Sequence, residues 1–409
     1  MKVAVVSAGF EPRNERLQPH RSLMEMGRQL AALGHEALLI SNGAERLPPE
    51  DDVAGLPVRR LRSVNLFRYG DNPELVHRLA AEAPDVILWH LSLSSFLHQD
   101  LHHVFAGRTI GVVTSPVYAA TDVVRLGITK LSTNPEMIAT HFTGTLVPSA
   151  LYRQALGRGG LAGLITLSET TRCHLIDRGT PPERVWVVPP GVDDAWLNAS
   201  VADEDRVSLR GQLGYTPDDF VVIYFGSPAP VRGLNTTLAA VEQAARRHRN
   251  LRLVILSRRR SGEWQKAAFQ LERLINRGPL RGRVQVVDGF LSQDELIRHI
   301  SASDLVCLPF ELVPSDVPLS ILEAMALSQP VIGTRIACIP EMLEDARGFL
   351  VPPGSARSLA HQIEAIVAVP GSTVEIGRAA RAYAVARGTW AEVGPALLRV
   401  MQAAGLAGP

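Results

Sequence analysis

Two doubly wound α/β units in tandem are the fold that this chain of 409 residues predicts. Three observations carry the prediction. Short runs rich in Val, Ile and Leu alternate with stretches of helical periodicity along most of the chain. The alternation loosens after Asp193 into the polar stretch DAWLNASVADEDRVSLRGQLGYTPDD and restarts at Phe220. The length exceeds what one ordinary core serves, and a hydrophobic content of 46% fills two.

The first unit opens on KVAVVSA, an apolar run with the look of a buried strand. RSLMEMGRQLAALGHE follows with helical spacing and a stop at Gly34. EALLIS is the next strand. PELVHRLAAEAPDVILWH divides into a helix, a turn at Pro84 and a strand. RTIGVVTS, AGLITLSE and RVWVVPPGVD complete the strands, with the helix ETTRCHLIDRG between the last two. Thr180 to Glu183 has the spacing of a capping box and predicts a short helical turn. In the second unit the strands are FVVIYFGS, LRLVILS, VQVVDG, DLVCLPF and PVIGT. The helices are LNTTLAAVEQAARRH, EWQKAAFQLERLINRG, SQDELIRHISAS and ARSLAHQIEAIVA. A second capping box runs from Ser292 to Glu295, and the last ~25 residues are helical by periodicity. Units of this type bind ligands at the carboxyl ends of their strands, so the natural site is the cleft between the two.

Charge and composition narrow the function. Forty-two Lys and Arg nearly cancel forty-one Asp and Glu, which argues against a nucleic-acid partner. Cys173, Cys307 and Cys338 are far apart and in no CxxC pattern, as suits a reducing cytoplasm and not structural zinc. The start MKVAVVSAGF is too quickly interrupted for a signal peptide, and no run approaches the ~18 apolar residues of a membrane span. A cytoplasmic protein is the expectation. His98 and His102 stand one helical turn apart but lack a third ligand, so a surface helix is the better reading than a metal pair. GRGGLAG at 157–163 lacks the preceding strand of a dinucleotide loop. VRRLRSVNLFRYG at 58–70 reads first as strand and loop, and second as a weak peripheral membrane or acceptor contact.

The segment SDVPLSILEAMALSQPVIGT, residues 315–334, holds the chemistry. Pro318 suits the first turn of a helix, where a missing N–H costs nothing. Leu319, Ser320 and Ile321 then present amides to an anion, aided by the helix dipole. At roughly 100° per residue, the seven-residue gap from Asp316 to Glu323 brings both carboxylates to one face. Amides suit phosphates, and carboxylates suit sugar or ribose hydroxyls. The plainer alternative is a capped core helix with a surface Glu.

This segment resembles the signature helix of the retaining glycosyltransferases of family four, which have the GT-B fold. YFGSPAPVRGLNTTLAAV, VQVVDGFLSQDELIRHISASDLVCLPF, CIPEMLEDARGFLVPPGSARSLAHQI and VWVVPPGVD resemble further motifs of that family, in order over about residues 165–395. The first unit matches in outline, through LAALGHE and PDVILWH. The resemblance implies domains at 1–195 (acceptor side) and 205–385 (donor side), with 386–409 as a helix returning toward the first. It implies that Glu323 binds the donor ribose, that the amides of Leu319 and Ser320 and the Arg232 side chain hold the diphosphate, and that Gly289 and Phe290 contact the base. Gly226, which closes the preceding strand, is by the same resemblance a further residue of the donor-phosphate site.

The departures are specific. The first Glu of the family pair falls on Ser315, with Asp316 one residue along as its expected substitute. Ser227 stands where the family has Arg; Arg258, in the Arg258–Arg260 loop, is the candidate replacement. Ala337 and Cys338 replace Gly-Gly. The Gly-Gly loop after the first strand becomes GFEPRNERLQPHR, which makes Arg13 an acceptor-side candidate beside His90. A family histidine is absent from VVTSPVY, where Ser115 lies. The expected function is transfer of a hexosyl group from a nucleotide-diphosphate sugar to an acceptor hydroxyl, with retention and without metal or cofactor. A catalytically silent homologue acting as a partner subunit, and a nucleotide-sugar epimerase, are the alternatives.

Overall fold

The computed structural model describes residues 1–11, 14–43, 47–66, 72–97, 101, 103–118, 120–124, 142–257, 275–276, 278–289, 291–369 and 371–407. The first sheet contains β1 (Lys2–Val6), β2 (Glu36–Asn42), β3 (Glu50–Val53), β4 (Leu56–Leu61), β5 (Val86–Leu91), β6 (Thr109–Val113), β7 (Gly163–Thr166) and β8 (Val185–Val187). Their order is β3-β4-β2-β1-β5-β6-β7-β8, parallel except for the β3–β4 hairpin. The second sheet contains β9 (Phe220–Gly226), β10 (Leu251–Ser257), β11 (Val284–Asp288), β12 (Leu305–Cys307), β13 (Val331–Thr334) and β14 (Phe349–Val351). Its order is β11-β10-β9-β12-β13-β14, all parallel.

Burial on both faces explains why these strands are apolar without alternation. Val3 and Val5 join a core layer that continues into the second domain, while Ala4 and Val6 face a separate layer on the other side of the first sheet. Helix His20–Ala32 stops where Leu33 caps it, and Gly34, the stop read from the sequence, takes φ +83°. The polar stretch after Asp193 contains a helix, Asp203–Gln212. Arg206 and Arg210 reach from it to Asp304 at 2.5 and 3.1 Å, which ties it to the second domain.

Two elements have weak local signals. The hairpin turn at Ala54-Gly55, both with positive φ, joins a short strand rich in acidic residues to β4, whose Arg residues interrupt its pattern. β14 is three residues long. The capping box at Ser292 forms: Ser292 Oγ accepts from Glu295 N at 3.2 Å, and Glu295 Oε2 accepts from Ser292 N at 2.7 Å. The one expected at Thr180 does not. Pro181 occupies the cap of a single 3₁₀ turn, Pro182–Arg184, which leaves Thr180 one residue too early and its buried Oγ1 without a partner among the described residues. Most of the helix expected from EWQKAAFQLERLINRG lies outside the described residues.

The chain crosses between the domains at two places that touch. Val192 N donates to Gly388 O at 3.2 Å, and Val192 bridges Thr389. Helix Val374–Arg387 precedes this crossing, and helix Val393–Ala403 packs on helix His20–Ala32 of the first domain. Arg387 donates to Pro190 O and Leu167 O, and Arg21 pairs with Asp193 at 2.5 Å while stacking over Trp390. A Cβ at Gly191 would overlap the Thr389 carbonyl carbon and the Trp390 nitrogen. Both obstacles are backbone and cannot swing aside. Gly191→Ala should therefore destabilise the protein by about 1–3 kcal/mol, the usual cost of overpacking. A denaturant titration against wild type measures this.

Candidate functional site

A cavity opens at the carboxyl ends of β9, β10 and β11, with about 830 Å³ of space between its walls, part of it open to solvent. Its floor is apolar: Phe225, Leu256, Leu291, Leu296 and Phe310. Its polar groups converge from three elements. Gly226 and Arg232 come from the end of β9 and the turn that follows. Ser315, Leu319, Ser320 and Glu323 come from the loop after β12 and the helix Leu319–Ala326. Arg16, Leu17 and Gln18 are the first domain's share.

Backbone chemistry places Arg232. Its turn closes through Arg232 N to Ala229 O at 2.8 Å, and Gly233 carries φ +84°. A Cβ at Gly233 would overlap Pro309 O, so only glycine lets this turn lie against the β12 loop. The guanidinium then stacks over Phe310 with its carbon 5.6 Å from the ring centroid. A Cβ at Gly226 would lie 3.4 Å from Arg232 Nη1.

The helix begins at Leu319. Pro318 is its cap, with extended backbone and no side-chain hydrogen bond. Ile321 N already donates to Pro318 O at 3.0 Å, so the amides offered to a ligand are those of Leu319 and Ser320. Glu323 sits in the second turn, half-buried, on the cavity wall.

Asp316 corrects the sequence expectation. It has no exposed surface and is not on the cavity wall. Ser168 Oγ donates to its two oxygens at 2.9 Å each, and Thr171 Oγ1 donates at 2.6 Å. The reason is local: the segment before Leu319 is not helical, so the seven-residue spacing does not turn Asp316 toward Glu323's face. Ser315 lines the cavity instead, and its Oγ donates to Thr114 O at 3.2 Å. Ser227 is likewise off the wall; its Oγ accepts from Ala229 N at 3.2 Å.

Two acceptor-side candidates, His90 and Ser115, lie apart from these walls. His90, half-buried, meets Ser7 Oγ at 3.4 Å and Thr114 Oγ1 at 2.9 Å. Burial, with the charge of His20 adding, depresses its pKa to about 4, so the imidazole is neutral at pH 7. Ser115 is half-buried beside Thr114 and off the wall. Gly289 lines the cavity at φ +143°. Arg13, Arg258 and Phe290 lie outside the described residues, as do His98 and His102. Among the described residues no group of three or more His, Cys, Asp or Glu could hold a metal, and no helix is long and apolar enough to cross a membrane.

Comparison with known proteins decides the family. The pattern described as "Glycosyltransferase Family 4" matches residues 20–196, and that described as "Glycosyl transferases group 1" matches residues 219–368. The chain belongs to the family-four glycosyltransferases of group 1. A D-inositol 3-phosphate glycosyltransferase of Segniliparus rotundus is 26% identical over 266 residues, covering 63% of this chain and 56% of that protein. An alpha-D-kanosaminyltransferase of Streptomyces kanamyceticus is 28% identical over 211 residues, covering 51% of this chain and 52% of that protein. The chain thus spans about half the length of the curated relatives it matches. Anabaena HepE, solved with UDP and glucose, superposes with a TM-score of 0.69 at 19% identity over 98% of this chain and 99% of its own. Sucrose-phosphate synthase of Thermosynechococcus elongatus gives 0.75 at 20% identity, over 98% of each chain. The fold is GT-B.

In this member of the family the sequence motifs pointed to Gly226, Arg232, Gly289, Leu319, Ser320 and Glu323, and all six lie on the cavity wall. They missed Arg16, Leu17 and Gln18, whose signal was only a polar loop between β1 and its helix.

The buried carboxylate yields a pH test. Burial pushes the Asp316 carboxyl from 3.8 up to about 6, against the hydrogen bonds from Thr171 and Ser168 and with the charge of Glu341 adding. The folded state therefore holds this proton more tightly than the unfolded chain. The group's contribution to stability is fullest below about pH 4 and falls as pH rises toward 6. Asp316→Asn, which carries no proton equilibrium, should lack this component. Subtracting the variant's stability from the wild type's at each pH should leave a decline between pH 4 and 6, of at most about 1.4 kcal/mol per unit. A flat difference would show that the carboxylate is not desolvated.

Proposed function

We propose that this protein transfers a hexosyl group from a nucleotide-diphosphate sugar to an acceptor hydroxyl, with the anomeric configuration retained. The observation that carries the reading is the convergence on one cavity wall of Arg232, the first amides of helix Leu319–Ala326 and Glu323. A cation beside a helix N-terminus is complementary to a diphosphate, and a half-buried carboxylate to ribose hydroxyls. The neighbours support it: Anabaena HepE is solved with UDP-glucose, and the matched relatives are named as glycosyltransferases.

In this reading the bond between the sugar's anomeric carbon and the diphosphate oxygen breaks while the acceptor oxygen bonds to the same carbon from the same face. The departing phosphate takes the acceptor's proton. Arg232 and the amides of Leu319 and Ser320 offset the charge that grows on the diphosphate, and they do so more strongly in the transition state than before it. The apolar floor lowers the polarity around these groups, which strengthens their attraction for the diphosphate.

A second reading keeps the binding and drops the transfer. Asp316 faces away from the cavity and Ser315 presents a hydroxyl where the family has Glu, so a homologue that binds donor without turnover also fits.

Thermal shift over a panel of nucleoside diphosphates should identify the ligand, because binding to the folded state raises stability. Turnover of the matching sugar nucleotide, followed by NMR of the product's anomeric proton, separates retention from inversion and transfer from mere binding. Glu323→Gln should weaken nucleotide binding by about 1–3 kcal/mol. Calorimetry on a folded variant with wild-type affinity would remove Glu323 from the site. Arg232→Ala should lower kcat by about 10²–10³-fold, with Arg232→Lys recovering much of it. Wild-type turnover by Arg232→Ala at saturating donor would end the phosphate role.

A further inference from the structure

The second domain builds almost the whole cavity, yet it contributes a single described cation to the wall, Arg232. The side chain at position 227, where a second cation belongs by family pattern, is a serine bound to its own turn. Among the described residues, the first domain reaches the cavity through residues 16–18, and Arg16 leads them.

The turn carrying Arg16 is braced. Asn14 accepts from Glu11 N at 2.9 Å and donates to Gly9 O at 2.8 Å. Gly9 N donates to Asn42 Oδ1 at 2.9 Å and Phe10 N to Ser41 Oγ at 3.1 Å, which fastens the loop to the end of β2. Phe10 is fully buried below it. Leu17 N then donates to Asn14 O, and Gln18 Nε2 to Ser22 Oγ at 2.8 Å. Nearby arginines spend their charge on carboxylates: Arg21 on Glu25 and Asp193, Arg28 on Glu25. Arg16 is exposed and has no ion pair among the described residues. A rigid base under an uncommitted guanidinium, at the mouth of an anion-binding cavity, is the arrangement of a ligand contact and not of a structural one.

Resting on the donor reading above, we infer that Arg16 supplies the second cation to the donor diphosphate, reaching it from the opposite domain in place of the cation absent at position 227. A diphosphate carries more negative charge than one guanidinium neutralises, and a second planar fork can pair with the oxygens left over. Because Arg16 and Arg232 belong to different domains, the diphosphate becomes an ionic tie between them, made only where the two face each other across the cavity.

The test is titration calorimetry on the full chain with UDP, GDP, ADP and dTDP, and with the parent nucleoside of whichever binds. Arg16→Ala should weaken the diphosphate about five- to thirty-fold and leave the nucleoside unchanged, the discount from a buried pair reflecting exposure. The slope of log Kd against log salt should become shallower, and Arg16→Lys should stay within about three-fold of wild type. Wild-type diphosphate affinity in Arg16→Ala, alongside loss in Arg232→Ala, would overturn this inference and leave the donor reading standing. Equal loss for diphosphate and nucleoside, or a lowered melting temperature without ligand, would make Arg16 structural and overturn it too. Binding of none of the diphosphates by the wild type would remove the donor reading itself, and this inference with it.

Discussion

Asp316 has no exposed surface, and its carboxylate is held by hydroxyls of the opposite domain, Ser168 and Thr171. A buried charge without partners would cost several kcal/mol, so the loop that carries Asp316 is pinned to the place where those hydroxyls are. The pin is reinforced. Asp316 N donates to Thr114 O at 2.6 Å, and Tyr118 Oη both donates to Val313 O and accepts from Val313 N. Glu341, also from the second domain, accepts from Thr170 N at 2.8 Å and Thr170 Oγ1 at 2.7 Å. Two carboxylates of one domain thus meet the start of helix Glu169–Asp177 of the other, where partial positive charge favours them.

The polar groups that the β12 loop and its helix bring to the cavity follow from that pin. The loop 313–318 leads into helix Leu319–Ala326, so fixing Val313 and Asp316 fixes the direction of the first amides and of Glu323. Ser315 is held to the first domain by the same loop. Arg232 is set by the Gly233 turn and by the ring of Phe310, which belongs to the same β12 connection. The polar wall and the domain interface are therefore one structure. A change at Ser168 or Tyr118, neither of which lines the cavity, reaches the site through two hydrogen bonds.

The crossing segments give this interface its second support. Gly191 and Thr389 touch where the chain passes between domains, and Arg387 donates to carbonyls of Pro190 and Leu167. Leu167 adjoins Ser168, so the crossing and the Asp316 pin brace one short stretch from both sides. The Arg21–Asp193 pair and Trp390 continue the brace to helix His20–Ala32, which follows the turn bearing Arg16.

The sequence by itself determined the layers, the succession of most strands along the chain and the helix that carries Glu323, because these rest on local information: apolar runs, helical spacing, Gly34 as a stop and Ser292 as a cap. It was also enough to name Gly226, Arg232, Gly289, Leu319 and Ser320, whose motifs are short and contiguous. Of the β3–β4 hairpin it gave β4, within the strand and loop read at 58–70, but β3 escaped it because acidic residues mask any period, and β14 because three residues carry no period at all. Only the tertiary structure decided Asp316 and Arg16. Helical spacing would turn Asp316 into the cleft, but the helix starts after it, and the hydroxyls that claim its carboxylate lie 148 and 145 residues away in the chain. Arg16 sits in a loop with no pattern of its own, and its place on the cavity wall exists only once two separately folded sheets are set face to face. Side-chain periodicity reports a residue's own element; it holds no record of what the other domain brings to meet it.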